Sequence, residues 1–460
     1  MAKKTVSAPA ASAPANRPPY MLIEEIRVQG YKSLVDATLH VRPLTLLAGT
    51  NSSGKSSIMQ PLLLIKQTME APYQPAGALV LDGAHVQAET AGELVSVLTD
   101  GNGFSIRIDG KNIRMNTTQP VYIEVNYVRD NSTFIIKSQK SITDKKENQS
   151  VDLMSNSTEK NISKTLLTAI RKSLGESELS TVRTEVINGF LGIIYTSTEG
   201  DERKVGNSYR LEKTLASLMH IPGLRGAPRR TYTATLFQIQ IKGTFDLYVA
   251  GTVSQWQQQQ DTEKLAKLND YLRRLGLTDS VMAKVKNANE VELSVSRLPA
   301  GSKGKPRKAD MVNIADVGIG VSQVLPILVA IIAAQEGQIV YVEQPELHLH
   351  PRAQVVMAEL LAEAANRGVR VIVETHSSLL LLTVQTMVAE AKIKPEDVAL
   401  HWFSRDSKGA TTVRYEQPDE NGAYGEWPED FGDVEMTAQR AYLDAVTKRR
   451  PKRQVKPTDA

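Results

Sequence analysis

The sequence contains no cysteine among its 460 residues. Disulfides, thiolate metal sites and cysteine nucleophiles are therefore excluded, and the composition fits a protein of the reducing cytoplasm. Long hydrophobic runs are also missing, because the longest, residues 324–334, has eleven residues and contains Pro326. Such a run is too short to span a membrane. Lys3 and Lys4 are not followed by an apolar segment, so no signal peptide is predicted and we expect a cytoplasmic protein.

Excess positive charge is confined to one short segment. The formal net charge is +4, but residues 448–460 contain six basic residues and one acidic residue. They carry +5, so the other 447 residues together carry −1. The composition therefore does not indicate a broadly basic surface for nucleic acid. The basic tail is a candidate contact with nucleic acid, and the alternative is a solvated, disordered terminus.

A glycine-rich motif occupies residues 44–57, which read LTLLAGTNSSGKSS. An apolar run predicts a buried strand before the glycines, and apolar spacing predicts a helix over 58–68. This order matches the phosphate-binding loop G-x-x-x-x-G-K-[ST], in which backbone N–H groups surround a polyphosphate at a helix start. Lys55 is expected to reach the β- and γ-phosphates, and Ser56 to bind Mg²⁺. The predicted nucleotide-binding residues are Gly49, Asn51, Ser52, Ser53, Gly54, Lys55, Ser56 and Ser57.

A second motif occupies residues 338–351, which read QIVYVEQPELHLHP. An apolar strand that ends in carboxylates is typical of a phosphoryl-transfer site, where one acid holds Mg²⁺ and another orients the attacking water. Glu343 is the expected Mg²⁺ acid, and Glu346 follows three residues later. His348 and His350 would also suit a metal, but two histidines without a third spaced ligand seldom form a closed site.

A third motif, residues 369–377, reads VRVIVETHS. It predicts another buried strand, and His376 lies where that strand ends. A histidine at this place could contact the γ-phosphate, and the alternative is a structural histidine. The preceding motifs favour the functional interpretation.

A fourth motif, residues 316–326, reads DVGIGVSQVLP. Gly318 and Gly320 precede Ser322, which is predicted to cap a helix with Pro326 in its first turn. A glycine-rich helix start suits an anion. Since the chain already has one phosphate loop, a second anion site is easiest to explain if two copies meet and each offers this segment to the other's ATP. The alternative is a simple helix cap.

Strands alternate with helices after residue 310, which predicts a parallel α/β sheet. The region that follows the N-terminal tail is instead rich in predicted strands. Because the phosphate loop lies far from the other sheet strands in the sequence, the predicted core is split by a long insertion, which includes a helix at 164–174. The predicted segments are a disordered tail (1–20), the first part of the core (21–129), the insertion (130–309), the second part of the core (310–394), a small C-terminal domain (395–447) and the basic tail (448–460).

The motifs GTNSSGKS, DVGIGVSQ, EQPELHLHP and ETHS together resemble those of the ABC-type ATPases of the overcoming-lysogenization-defect, RecF and SMC-like group. The start LIEEIRVQGYKSL resembles the first strand of that group. GLRGAPRRTY and GEWPEDF resemble a subfamily whose ATPase core ends in a small C-terminal domain. The resemblance covers about residues 21–100 and 310–380 and extends weakly to about 435. It implies an ABC-type P-loop NTPase core, in which a parallel sheet with flanking helices adjoins a strand-rich lobe.

The same resemblance implies an ATP sandwich, formed by a homodimer or a higher homo-oligomer with Mg²⁺. Lys55 and Ser56 would bind phosphate and Mg²⁺, Glu343 would be the Mg²⁺ acid, and His376 the switch histidine. The signature segment that acts in trans would comprise Gly318, Gly320 and Ser322.

One departure from that group concerns the catalytic acid. The group usually has Asp-Glu where this chain has Glu343 and Gln344. An amide cannot act as a base, so hydrolysis is expected to be slow, or Glu346 replaces the missing acid. The candidate catalytic residues are therefore Glu343, Gln344, Glu346 and His376.

Three functions are compatible with these residues. Members of the resembled group serve as ATPase partners of nucleases or toxins in bacterial anti-phage systems such as Septu, PARIS and some retrons. The leading hypothesis is therefore a slowly hydrolysing ATPase dimer that senses a trigger or gates a separate nuclease or toxin. No TOPRIM nuclease domain is expected after residue 380. Another possible function is a scaffold that assembles a toxin and whose bound ATP is structural.

The remaining hypothesis is a DNA-repair ATPase that clamps nucleic acid directly. It would need a basic channel, for which residues 225–230, residues 303–308 and the basic tail are candidates. No heptad run occurs between residues 100 and 300, which argues against an SMC-like arm. The sequence alone assigns no role to Arg225, Arg229 and Arg230, the arginines of residues 225–230.

Overall fold

The computed structural model describes residues 21–73, 75–114, 117–142, 150–155, 179–197, 202–206, 208–234, 240–297, 310–425 and 440–443. The two predicted tails and the predicted helix at 164–174 lie outside these ranges. The described α-helices are α1 (Lys55–Glu70), α2 (Tyr209–Ser217), α3 (Val249–Gln258), α4 (Thr262–Arg274), α5 (Ile319–Ala333), α6 (Pro351–Asn366) and α7 (Ser378–Ala389). None of them is both long and apolar enough to cross a membrane.

The described strands are numbered in chain order. They are β1 (Met21–Tyr31), β2 (Leu34–His40), β3 (Leu44–Gly49), β4 (Gly103–Arg114), β5 (Thr117–Asp130), β6 (Thr133–Ile142), β7 (Ser150–Met154), β8 (Leu179–Ile187), β9 (Phe190–Ser197), β10 (Glu202–Gly206), β11 (Met219–Ile221), β12 (Tyr232–Thr233), β13 (Val281–Asn287), β14 (Glu290–Ser296), β15 (Met311–Asn313), β16 (Ile339–Glu343), β17 (Arg370–Glu374), β18 (Val398–Arg405) and β19 (Thr411–Glu416).

A six-stranded sheet in the order β11-β16-β17-β3-β18-β19 forms the centre of the molecule. All neighbouring pairs are parallel except β18 with β19. All six residues of β3 are buried, as expected of a parallel strand that is covered on both faces. The predicted α/β class and the predicted parallel sheet with flanking helices are confirmed.

Alternate residues of β3 face two separate hydrophobic cores, because side chains along a strand point to opposite faces. Leu46 packs in a core with α3 to α7. Leu47 packs in the second core with α1 and the strand-rich lobe. This lobe is an antiparallel sheet in the order β2-β1-β4-β5-β6-β7, with β8, β9 and β10 forming a smaller sheet. Helix α1 therefore lies between the central sheet and the lobe.

Two edges of the central sheet come from segments that were predicted to lie elsewhere. Strand β11 belongs to the predicted insertion, yet it pairs with β16. Strands β18 and β19 belong to the predicted C-terminal domain, yet β18 pairs directly with the P-loop strand β3. Residues 398–416 thus extend the central sheet from within the segment that was predicted as the C-terminal domain. Strand β11 has only three residues, which is too short for a periodic signal.

Candidate nucleotide-binding site

The predicted phosphate loop connects β3 with α1. Gly49 has a φ of +143°, and a Cβ there would lie 2.0 Å from the carbonyl oxygen of Phe403, so only glycine fits. Helix α1 begins after Gly54, has no side-chain cap and has no acidic residue in its first turn. Its first N–H groups can therefore receive an anion, which the helix dipole also favours. The loop residues Asn51 and Ser52 are exposed, whereas Ser53 is buried.

Lys55 is only 4% exposed and points into this loop. Its Nζ donates hydrogen bonds to the carbonyl oxygens of Gly49 at 3.0 Å and Thr50 at 2.7 Å. Burial lowers the pKa of Lys55, while the charges of Glu374 and Glu346 oppose this shift. The amine thus lies between the loop and two carboxylates, as a phosphate-binding lysine should.

Ser56 contacts an acid that the motif analysis did not select. Ser56 Oγ donates to Glu374 Oε1 at 3.0 Å, and Tyr341 Oη donates to Glu374 Oε2 at 3.2 Å. Burial raises the pKa of Glu374, and the nearby charge of Glu343 acts in the same direction. The sheet order explains the contact, because β17 lies between the P-loop strand and β16. The sequence signal that could have identified Glu374 is its position at the end of a predicted strand, two residues before His376.

The predicted Mg²⁺ acid, Glu343, lies in register with Glu374 on the neighbouring strand. Its Oε1 contacts His220 Nε2 at 3.1 Å, and its Oε2 accepts the N–H of Gly223 at 2.9 Å. Burial would raise the pKa of Glu343, but the hydrogen bond and charge of His220 and the Gly223 N–H lower it. His220 is thus a further site residue that sequence reasoning missed, because it lies on the short strand β11.

Glu346 and His376 are adjacent at the site. Glu346 Oε1 accepts the backbone N–H of His376 at 2.7 Å. The other oxygen, Oε2, is buried and has no hydrogen-bond partner among the described residues. Burial raises the pKa of Glu346. Burial lowers the pKa of His376, and the charge of Lys55 acts in the same direction.

Gln344 occupies a left-handed backbone conformation with a φ of +46°. Its N–H donates to the carbonyl oxygen of Glu374 at 2.7 Å. Its Oε1 lies 3.4 Å from the position that a Cβ on Gly223 would take. The chain therefore turns away from β16 at Gln344, which stays next to Glu343 and Glu374.

Arg225 connects this edge to helix α5. It donates to the carbonyl oxygens of Glu343 at 2.6 Å and Gln344 at 3.2 Å through Nη2, and to that of Gln323 at 3.0 Å through Nη1. Burial lowers its pKa to about 10. Arg230, by contrast, is exposed and pairs with Asp316 at 2.7 Å. Arg225 thus connects the carboxylate edge to α5, whereas Arg230 contacts the first residue of the signature motif.

The predicted signature segment lies at the start of α5, but its cap differs from the prediction. Gly318 is the N-cap residue, and Ser322 lies inside the helix, where its Oγ donates to the carbonyl oxygen of Ile319 at 2.8 Å. Pro326 lies beyond the first turn. Within the described part of the chain, no hydrogen bond joins Gly318, Gly320 or Ser322 to the phosphate loop. The exposed helix start is available to a second molecule.

The two histidines of the second motif do not form a metal site. His350 Nδ1 accepts the N–H of Arg352 at 3.3 Å and caps α6. His348 is exposed. The described residues contain no cluster of three histidine or carboxylate ligands that could hold a metal by themselves.

The oxygen donors at the sheet edge nevertheless fit Mg²⁺. The hydroxyl of Ser56 and the carboxylates of Glu343 and Glu374 are the kind of ligand that Mg²⁺ prefers. Mg²⁺ usually takes only one or two protein carboxylates and completes its shell with phosphate and water. A site with few protein ligands beside a phosphate loop matches this pattern.

Comparison with known families finds two matches. Residues 21–188 match the family described as "AAA ATPase domain", and residues 245–382 match "AAA domain, putative AbiEii toxin, Type IV TA system". Together with the loop motif and the parallel sheet, these matches support a P-loop ATPase. A comparison with curated proteins finds no match.

Among solved structures, the chain is similar to several SMC head domains at low identity. The SmcHead bound to the C-winged helix domain of ScpA is 13% identical, with 87% of this chain and 98% of that chain covered and a TM-score of 0.43. The SMC head domain from Thermotoga maritima is 10% identical, with 86% and 98% covered and a TM-score of 0.37. The Smc head domain of Pyrococcus furiosus, bound to the C-terminal domain of ScpA, is 11% identical, with 94% and 100% covered and a TM-score of 0.41.

Proposed function

We propose that the protein binds Mg²⁺-ATP at the edge formed by β3, β17 and β16 and hydrolyses it slowly. One observation carries this proposal: a buried lysine, a serine hydroxyl and three carboxylates from distant parts of the chain meet around the phosphate loop. The five residues are Lys55, Ser56, Glu343, Glu346 and Glu374. Clusters of buried ionisable groups beside a cleft or loop are characteristic of functional sites.

Each group has a role in this proposal that its chemistry supports. The loop N–H groups and Lys55 hold the phosphates, and Ser56 with Glu374 and Glu343 holds Mg²⁺. The bound metal would neutralise phosphate charge. Burial and the charge of Lys55 both favour the neutral form of His376, which can hydrogen-bond a γ-phosphate without adding a buried charge.

Glu346 is the best candidate for the base that orients the attacking water. Burial raises its pKa, which suits a group that accepts a proton, and its charge acts on Lys55 of the phosphate loop. Gln344 occupies the usual place of that acid and can only orient water through its amide. Slow hydrolysis follows if Glu346 lies less favourably than the usual acid.

The signature segment supports a homodimer in which each copy completes the other's site. Its glycine-rich helix start is exposed and is not bonded to the phosphate loop of its own chain. In a two-fold arrangement the same segment of a second copy would face the ATP. Gly318, Gly320 and Ser322 would then act in trans.

A role in defence against phage is the biological setting that we favour. The family matched by residues 245–382 is described as a toxin of a type IV toxin–antitoxin system, and the sequence motifs resemble ATPases of anti-phage systems. In this setting the ATP-bound dimer would gate or scaffold a separate nuclease or toxin in the cytoplasm. A direct DNA-repair role is the alternative, and it predicts that DNA stimulates hydrolysis.

Mixing two inactive variants tests the site and the dimer together. Lys55→Ala removes the phosphate-binding charge, and Ser322→Arg blocks the segment that acts in trans. Heterodimers of the two variants contain one intact composite site, so a mixture at equal concentrations should regain about a quarter of the wild-type ATPase activity. Lys55→Ala mixed with His376→Ala is the matched control, because both residues belong to the same half of the site and no intact site can form. Equal inactivity of both mixtures, with subunit exchange demonstrated, would contradict the trans arrangement.

A further inference from the structure

The hairpin formed by β18 and β19 contacts the outer side of the phosphate loop at several points. Strand β18 runs beside β3 up to the pair Phe403 and Gly49. Arg405 Nε donates to the carbonyl oxygen of Ser52 at 2.7 Å. Thr411 Oγ1 donates to the carbonyl oxygen of Ser53 at 2.8 Å. Two consecutive carbonyl groups of the loop are therefore held by side chains of the hairpin.

Because the peptide bond is planar and trans, these two hydrogen bonds to carbonyl groups also fix the direction of the N–H groups that follow them. In a trans peptide, the carbonyl of one residue and the N–H of the next point in opposite directions. Since the carbonyls of Ser52 and Ser53 point toward the hairpin, the N–H groups of Ser53 and Gly54 point away from it. Consecutive N–H groups that point the same way form an anion-binding concavity.

Thr411 is itself fixed by its neighbours. Its hydroxyl has one proton, which is donated to Ser53, so Ser33 Oγ at 2.8 Å must donate to Thr411 Oγ1. The backbone N–H of Thr411 donates to the carbonyl oxygen of Ser33 at 2.8 Å. Thr411 Oγ1 also lies 2.6 Å from where a Cβ on Gly54 would be. The threonine is 5% exposed and fits closely against the loop.

We infer that Arg405 and Thr411 are positioning residues that hold the phosphate loop in its anion-binding form. The inference rests on the proposed function, because it assumes that the loop binds the phosphates of ATP. It makes the hairpin Val398–Glu416, which the motifs did not single out, part of the nucleotide site. Because both side chains act on the carbonyl groups of the loop, their loss should affect the affinity for nucleotide more than the rate of the chemical step.

The test compares two neighbouring threonines of β19. Thr411→Val removes the hydroxyl with little change of shape, and Thr411→Ser retains it. Thr412→Val is the matched control, because the hydrogen bonds of Thr412 Oγ1 with described residues are to Ser404 across the hairpin. For each variant, the Kd for Mg²⁺-ATP is measured by calorimetry, KM and kcat by ATPase assay, and Tm without nucleotide.

Thr411→Val removes one hydrogen bond to the loop. We therefore expect it to raise the Kd and KM for Mg²⁺-ATP by about three- to tenfold and to change kcat by less than about twofold. Thr411→Ser and Thr412→Val should bind ATP within about twofold of the wild type. Equal Kd values for Thr411→Val and Thr412→Val, in the presence of normal wild-type binding, would overturn the inference and leave the proposed function standing. Absence of Mg²⁺-ATP binding by the wild type would overturn the proposed function itself.

Arg405→Gln provides a second route if Thr411→Val does not fold. The side chain of Arg405 is exposed, so its replacement should leave Tm nearly unchanged. We expect Arg405→Gln to raise the Kd for Mg²⁺-ATP by about two- to fivefold. An unchanged Kd in this variant would overturn the role of Arg405 in holding the loop.

Discussion

Ser56 and Glu374 are 318 residues apart in the chain, yet their side chains form a hydrogen bond of 3.0 Å at the centre of the site. The bond links the first turn of α1 to the end of β17. It therefore joins the phosphate loop to the strand that lies between β3 and β16. A carboxylate in this place can bind the Mg²⁺ that Ser56 is expected to hold.

Lys55→Ala is expected to weaken Mg²⁺-ATP binding by at least about 100-fold, because the lysine supplies the main positive charge on the phosphates. Equilibrium binding of ATP measures this effect. Lys32→Ala is the control, since the amine of Lys32 contacts Gln60 on the outer side of α1 and not the loop. Wild-type affinity of Lys55→Ala would contradict the assignment of the loop.

Glu374→Gln should raise the Mg²⁺ concentration needed for half-maximal ATPase activity by about 10- to 100-fold. The amide keeps a similar shape but removes the negative charge beside Ser56. A titration of activity with Mg²⁺ at saturating ATP measures this requirement. The assignment fails if the Mg²⁺ requirement of Glu374→Gln equals that of the wild type.

The base can be identified from two variants measured under single-turnover conditions. If Glu346 orients the water, Glu346→Gln should reduce hydrolysis by about 10²- to 10⁴-fold and Gln344→Glu should change it little. If Gln344 limits the rate instead, Gln344→Glu should increase hydrolysis. Fast wild-type turnover that survives Glu346→Gln would contradict both assignments and would move the base to Glu343 or to another group.

Glu346→Gln should also make the nucleotide-free protein more stable at high pH. Burial raises the pKa of Glu346 in the folded state above the ordinary value of 4.5. The folded state then binds the proton more tightly than the unfolded state, so the stability of the wild type falls as the pH rises from 4.5 through the raised pKa. The variant lacks this loss, and we expect it to gain about 1–3 kcal/mol at pH 8 and less at pH 5.

Urea unfolding at the two pH values, without nucleotide, measures this difference. The exposed Glu420 provides the control, because Glu420→Gln should change stability by less than about 0.5 kcal/mol at both pH values. An equal gain for Glu346→Gln at pH 5 and pH 8 would show that the carboxylate is not destabilised by burial.

The parts of the site that follow local patterns could be predicted from the sequence. The phosphate loop between β3 and α1 and the parallel strands β16 and β17 occur where their motifs indicated. The groups that could not be predicted reach the site through the fold. His220 lies on a strand of only three residues. Thr411 begins a strand of six residues whose sequence carries no motif. Their importance follows from sheet order, which no local pattern encodes.

The placement of β3 between β17 and β18 has a consequence for biosynthesis. Strand β3 is translated long before its two neighbours, which begin at residues 370 and 398. At typical elongation rates the nascent strand waits about 20–70 s before both neighbours are available. Such non-local pairing is slow to form, so an apolar strand without its neighbours is exposed to aggregation during synthesis. The complete nucleotide site can therefore form only after residues 398–416 have been translated.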